Sequence, residues 1–220
     1  MPALWVAALL VQPQEDGRLA QPGQAWPRLV VASGAVSEVQ QPALTLRSPP
    51  EQHEVSMADI LEHPEAVNPY ELIEPITTLF RRGDRLQASF LFYFWQIRSA
   101  PWARLGRPDG ERALRGAINA TLGPEINGWV GSDPQAWLAL VYRAIAFEKR
   151  VPLYSGRPEG VSPDKWEEVV EAERARYAEG FEEARPILEN GEEYARKRAG
   201  AGLYVGPWQE PGAPLPEHWR

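Results

Sequence analysis

Chemistry in this chain would have to come from carboxylates, because its sequence supplies little else. It has no cysteine, which removes disulfides, thiolate ligands and cysteine nucleophiles together. The three histidines are His53, His63 and His218. No two have metal-ligand spacing, so no zinc site is expected. A serine triad needs a histidine oriented by a carboxylate, and no G-x-S-x-G elbow occurs. Ser155-Gly156 reads as a turn. Neither a G-x-x-x-x-G-K-[ST] loop nor a G-x-G-x-x-G fingerprint occurs. Gly200, Gly202 and Gly206 follow a helical segment rather than open one, the wrong polarity for cradling phosphate. No cofactor is expected.

The carboxylates themselves gather on one segment. Glu167, Glu168, Glu171 and Glu173 lie close together, with Glu182, Glu183 and Glu189 beyond. Glycosidases set two carboxylates across a cleft, and Glu71 with Glu74, or Glu167 with Glu171, are the pairs an enzyme of unrecognised type would use. Lys165, Arg174 and Arg176 interleave at i,i+3 or i,i+4, however, which is the pattern of a solvated helix face. Such a face can also dock a basic partner.

Aromatic residues are the second conspicuous feature, with nine tryptophans. Trp95, Trp137 and Trp166 fall on helical stripes and read as core. Tyr204, Trp208 and Trp219 lie in a Pro/Gly-rich tail, where an aromatic either pins the tail to the body or anchors a partner. The candidate partner-binding set is therefore Glu167, Glu168, Glu171, Tyr204, Trp208 and Trp219.

The formal net charge is −7. A nucleic-acid binder needs a basic footprint to release counterions from phosphates, so nucleic acid is not an expected partner. A basic protein suits this charge better. The apolar run Ala3–Val11 is too short to span a bilayer. It lacks a positive n-region and is followed by Pro13 rather than a small-x-small cleavage site. It reads as a strand, and the chain as soluble and cytoplasmic, with the periplasm left open.

The elements that must position these groups change character along the chain. In residues 1–50, Leu4–Val11, Arg28–Ala32, Val36–Val39 and Ala43–Leu46 are short β-like runs punctuated by proline. They predict a small antiparallel hairpin or sheet. Residues 56–199 read as a helical body. Ser56 with Asp59 caps a short turn. Asn68-Pro69 with Glu71 forms a capping box, followed by a helix kinked at Pro75 and stopped by Gly83. Asp84 with Gln87 caps the next helix, which Pro101 ends. Its centre, Leu86–Ile97, contains Phe90-Leu91-Phe92-Tyr93-Phe94-Trp95 and is apolar all round, the mark of a buried helix. Asp109 is expected to cap a helix carrying Leu114, Ile118 and Leu122 and ended by Gly123. Pro124–Gly131 reads as a connector. Asp133-Pro134 starts a helix with Trp137, Leu138, Val141 and Ile145 inward. Ser162-Pro163 starts a long charged helix with Trp166, Val170, Tyr177, Phe181 and Leu188 as its stripe, and Gly191 separates a last short segment. Residues 200–220 form an irregular tail. The expected fold is thus a mainly α (α+β) single domain: a helical bundle around the aromatic helix at about 84–99, with the N-terminal β element attached.

Three phrases between Arg81 and Pro152 carry a resemblance: RRGDRLQASFLFYFWQIR, PDGERAL and LGPEINGWVGSDPQAWLALVYRAIAFEKRVP. This block, about a third of the chain, resembles uncharacterised bacterial proteins associated with toxin–immunity loci, including type VI secretion effector pairs. The resemblance implies an immunity or interaction role and transfers no functional residue. The tail, AGAGLYVGPWQEP and PEHWR after an Arg-rich helix, looks like the end of thermonuclease-type proteins. Those enzymes need a β-barrel bearing Asp and Arg motifs, and the first fifty residues hold no D-G-D-T-like segment, so nuclease activity is not expected. The resulting expectation is a non-enzymatic protein-binding protein. Its most specific form is an immunity protein that occludes a basic secreted toxin. A phage or secretion-system assembly component and a carboxylate enzyme are the alternatives.

Overall fold

A computed structural model of the chain describes residues 56–106, 109–153 and 156–219. The β-like runs expected in residues 1–50 lie outside the described residues. Among those described, the chain is mainly helical and no strand occurs. None of its helices is long and apolar enough to cross a membrane.

Local capping chemistry sets most helix starts. Helix α1 (Met57–Glu62) opens on a reciprocal capping box, in which Ser56 Oγ accepts from Asp59 N and the Asp59 carboxylate accepts from Ser56 N, both at 3.2 Å. Asn68 Oδ1 accepts from Tyr70 N at 3.0 Å, but the expected box with Glu71 does not form, and the cap leads into a 3-10 turn, Pro69–Leu72, before α2 (Ile73–Arg82) begins. Pro75 therefore falls in the first turn of α2, not the second. Its missing N–H costs no intrahelical bond there. Leu72, Ile76 and Leu79 are fully buried. Gly83 ends α2 at φ +99°, a left-handed turn that a side chain would strain.

Helix α3 (Arg85–Leu105) is the buried post of the bundle. Phe90, Leu91, Phe92, Phe94 and Trp95 have no exposed surface, and α2, α4 (Glu111–Val130), α5 (Pro134–Arg150) and α6 (Pro163–Glu189) all pack on it. Burial of each such side chain is worth about 1.5–3 kcal/mol. Pro101 does not stop α3, and neither Gly123 nor Pro124 stops α4; the segment expected as a connector is helical through Val130. An interior proline costs about 3 kcal/mol. In α4, continuing past it buries Ile126 and Val130, which offsets that cost; in α3 it buries Ala103 and sets Trp102 edge-on against Trp166. Helix α4 starts after Gly110, with no side-chain cap from Asp109. Leu114 is 48% exposed although Ile118 is buried. A four-residue repeat drifts about 40° per step against the helical period, so the three positions do not share one face.

Asp133 Oδ1 caps α5 through Ala136 N at 3.0 Å, and Ser162 Oγ caps α6 through Lys165 N at 3.3 Å. Trp166, Val170, Phe181 and Leu188 form the buried stripe of α6, which runs through Pro186 to Glu189. Helix α7 (Gly191–Gly200) comes next, and a final 3-10 turn covers Glu217–Trp219.

Candidate functional site

The tail is the first surprise. Asp84 is the N-cap of α3 but its side chain does not cap the helix; its Oδ1 accepts from Ala213 N at 2.9 Å, and its other oxygen pairs with Arg82 Nε. Those contacts, the Ala213 amide foremost, hold its carboxyl below the usual range. Gln87 donates to Pro214 O at 2.8 Å, Leu86 N donates to Pro211 O at 2.9 Å, and Arg85 reaches Glu210 at 3.2 Å. The first turn of α3 thus spends its polar groups on the tail. Gly212 (φ +74°) lies against the Gly83 carbonyl and Asp84 Cα, where no Cβ fits.

The aromatics behave accordingly. Trp219 has no exposed surface and stacks on Phe90, ring centroids 4.8 Å apart at 12°. It belongs to the core, which removes it from the partner-binding set. Trp208 is half-buried; its Nε1 donates to Val130 O at 2.8 Å and its ring stacks on Trp129 at 5.1 Å. It too pins the tail. Tyr204 is different. It is 47% exposed, between Leu203 at 44% and Val205 at 36%. Arg198 Nε donates to Tyr204 O at 2.7 Å, Leu203 N to Arg198 O at 3.1 Å, and Gly206 N to Ser132 O at 2.9 Å. Arg198 itself is buried and also bonds Gly128 O. Three consecutive exposed apolar side chains are therefore held on a fixed backbone at the corner where α4 meets α5.

Glu167, Glu168 and Glu171 are exposed on α6. Glu168 pairs with Lys165 at 2.9 Å and Glu171 with Arg174 at 2.5 Å, the i,i+3 pairs of a solvated face. Glu171 lies about 27 Å along α6 from the end at which α7 begins. Glu71 and Glu74 are exposed on the 3-10 turn and α2. Among the described residues no cluster of histidine, aspartate or glutamate could hold a metal ion.

Sequence reasoning missed two arrangements. Glu148, only 2% exposed, takes two contacts from Arg174 at 2.8 and 2.9 Å and one from Arg98 at 3.2 Å. Burial pulls the Arg98 guanidinium below its ordinary value although Glu148 opposes the shift. Burial is the largest single influence on Arg174 and acts the same way, but the hydrogen bonds and charges of Glu148 and Glu171 together outweigh it, so its value rises. The triad ties α3, α5 and α6 together, and Arg174, its one partly exposed member, links it to the exposed Glu171.

The other arrangement is a cleft of about 610 Å³ between α3, α4, α5 and α6. Its polar lining is cross-braced. Tyr177 donates to Gln96 Oε1 at 2.9 Å, Gln96 Nε2 to Asn119 Oδ1 at 2.8 Å, and Tyr93 to Asn127 Oδ1 at 2.7 Å. Arg115 reaches Ser99 Oγ at 3.1 Å and Gln96 O at 3.0 Å. Burial pushes the Tyr93 and Tyr177 hydroxyls up and the Arg115 guanidinium down. None of Glu71, Glu74, Glu167 or Glu171 lines this cleft; Glu173, Glu179 and Glu183 do. The sequence signal was polar Gln96 beside the apolar centre of α3, one of several polar residues on that helix.

Compared with known proteins, the chain matches no family model, no curated protein and no solved structure.

Proposed function

We propose that the chain is a non-enzymatic protein-binding protein whose anchor is the strip Leu203-Tyr204-Val205, and that its specific role is immunity against a basic bacterial toxin. The observation that carries this reading is the strip itself. Three consecutive exposed apolar residues, fixed by Arg198 and Ser132, present a rigid anchor rather than a loop that must order on binding. The resemblance of Arg81–Pro152 to proteins of toxin–immunity loci supports the same class. Helix α6 contributes a second property. Its exposed Glu167, Glu168, Glu171, Glu182 and Glu189, on a chain of net charge −7, attract a basic partner at long range. The anchor then sets residence time, and occlusion of the partner's active site gives neutralisation.

Co-purification with the products of adjacent genes tests this directly. The expected result is a complex with sub-micromolar Kd that Tyr204→Ala weakens by about 2 kcal/mol, roughly thirtyfold. Absence of any neighbouring gene product that binds at micromolar concentration refutes it. Self-association of the free chain in sedimentation would instead favour the assembly-component reading, since the same strip could seat a second copy.

A further inference from the structure

The cleft has a direction. Helix α3 contributes Arg104, Ala103 and Ala100 at one end and Gln96 and Tyr93 toward the other, and Arg104 and Tyr93 are about 16 Å apart along the helix. Helix α4 sets Arg112 at the Arg104 end, where it bonds Ala103 O, and Arg115 midway, on Ser99 Oγ and Gln96 O. Trp137, Val141 and Phe181 line the cleft with Tyr93 and Asn127. Arginines therefore line the cleft from one end to its middle, and the other end is aromatic.

One group in this cleft lacks what its chemistry requires. Arg115 is half-buried, yet its hydrogen bonds go to the neutral oxygens of Ser99 and Gln96, and it has no ion pair among the described residues. A cation withdrawn from water without a close counter-charge is costly. Glu173 does not neutralise it, being taken by Arg176 at 2.5 Å and approached by Arg104 at 3.9 Å.

We infer that the cleft binds an amphipathic organic anion, its carboxylate-type head on Arg115 and Arg112 and its apolar body along Tyr177 and Tyr93. The volume lies within the range of small-molecule sites, which are apolar with a few convergent polar groups. The inference is independent of the protein partner, because the Leu203–Val205 strip does not line the cleft.

Titration of the full chain with decanoate and decanol tests it, read by calorimetry and tryptophan fluorescence. Decanoate should saturate one site per chain, with decanol at least tenfold weaker. Arg115→Gln should abolish carboxylate binding. Because Arg115 and Arg112 both brace α3 against α4, decanol serves as the internal control: in Arg112→Gln decanoate should weaken about tenfold while decanol binding is unchanged. No saturable binding of decanoate overturns the site. Equal binding of decanol and decanoate, an unchanged decanoate Kd in Arg112→Gln, or an equal loss of both probes there overturns the anionic head.

Discussion

Trp219→Ala is the perturbation that separates a pinned tail from an attached one. The side chain has no exposed surface and lies in a stack with Phe90, with Phe147 at 6.4 Å. Truncating a buried tryptophan costs about 3–5 kcal/mol through lost transfer energy and the cavity left behind. The stack with Phe90 contributes about 0.5–1.5 kcal/mol beyond area, within that range. At this chain length 1 kcal/mol moves Tm by about 2–4 °C, so a fall of roughly 10 °C is expected. The loss should be local before it is global. The amides of Leu86 and Ala213, which bond Pro211 O and Asp84 Oδ1, should exchange rapidly in the variant while amides of α3 beyond Phe90 stay protected. Trp219→Phe should retain most of the stability, since it keeps a ring and removes an indole N–H that has no partner. A Trp219→Ala protein within about 1 kcal/mol of the parent, or one whose Leu86 and Ala213 amides stay protected, refutes the claim that this residue holds the tail.

Other perturbations probe the buried triad, the strap and the tyrosines. Glu148→Gln leaves Arg98 and Arg174 buried against a neutral group, and denaturant unfolding should show a loss of about 3–5 kcal/mol. Gly212→Ala should release the strap, because φ +74° and the adjacent Gly83–Asp84 backbone exclude a Cβ; proteolysis of the segment after Gly200 should speed up while the far-ultraviolet spectrum is unchanged. Tyr70 is pushed up to about 12, first by burial and then by Glu111, and burial raises Tyr93 and Tyr194 as well. The folded state holds these protons after the unfolded chain has lost them, so the stability they contribute is complete below pH 10.0 and falls as pH rises toward about 12. Absorbance titration should show these tyrosines ionising only with unfolding; their ionisation near pH 10.0 in the folded protein would contradict it.

How much of this could be read from residues alone depends on range. Caps are local, so Ser56, Asn68, Asp133 and Ser162 announced their hydrogen bonds, as Gly83 did its left-handed turn. The apolar circumference of α3 announced its burial. Pro101, Gly123 and Pro124 misled because propensity at one position competes with burial further along the helix, and burial wins. Asp84 and Gln87 have the residue types and spacing of a capping box, yet their partners are Ala213 and Pro214. Nothing local encodes a bond across so much chain. Trp208 and Trp219 were ambiguous for the same reason, and only Tyr204 among the tail aromatics is left facing outward. The cleft was illegible because its walls come from four helices and its arginines, Arg104, Arg112 and Arg115, resemble ordinary surface arginines in sequence.

Amide hydrogen exchange, measured on the free chain and on its complex with a co-purified neighbouring gene product, reaches the central proposal most directly. In the free chain the Leu203 and Gly206 amides should already be protected by Arg198 O and Ser132 O, showing a mounted strip. On binding, new protection should centre on Leu203, Tyr204 and Val205, and Tyr204→Ala should remove it. A footprint confined to other elements, or Leu203 and Gly206 amides that exchange freely in the unbound chain, contradicts the assignment of this strip as a rigid partner anchor.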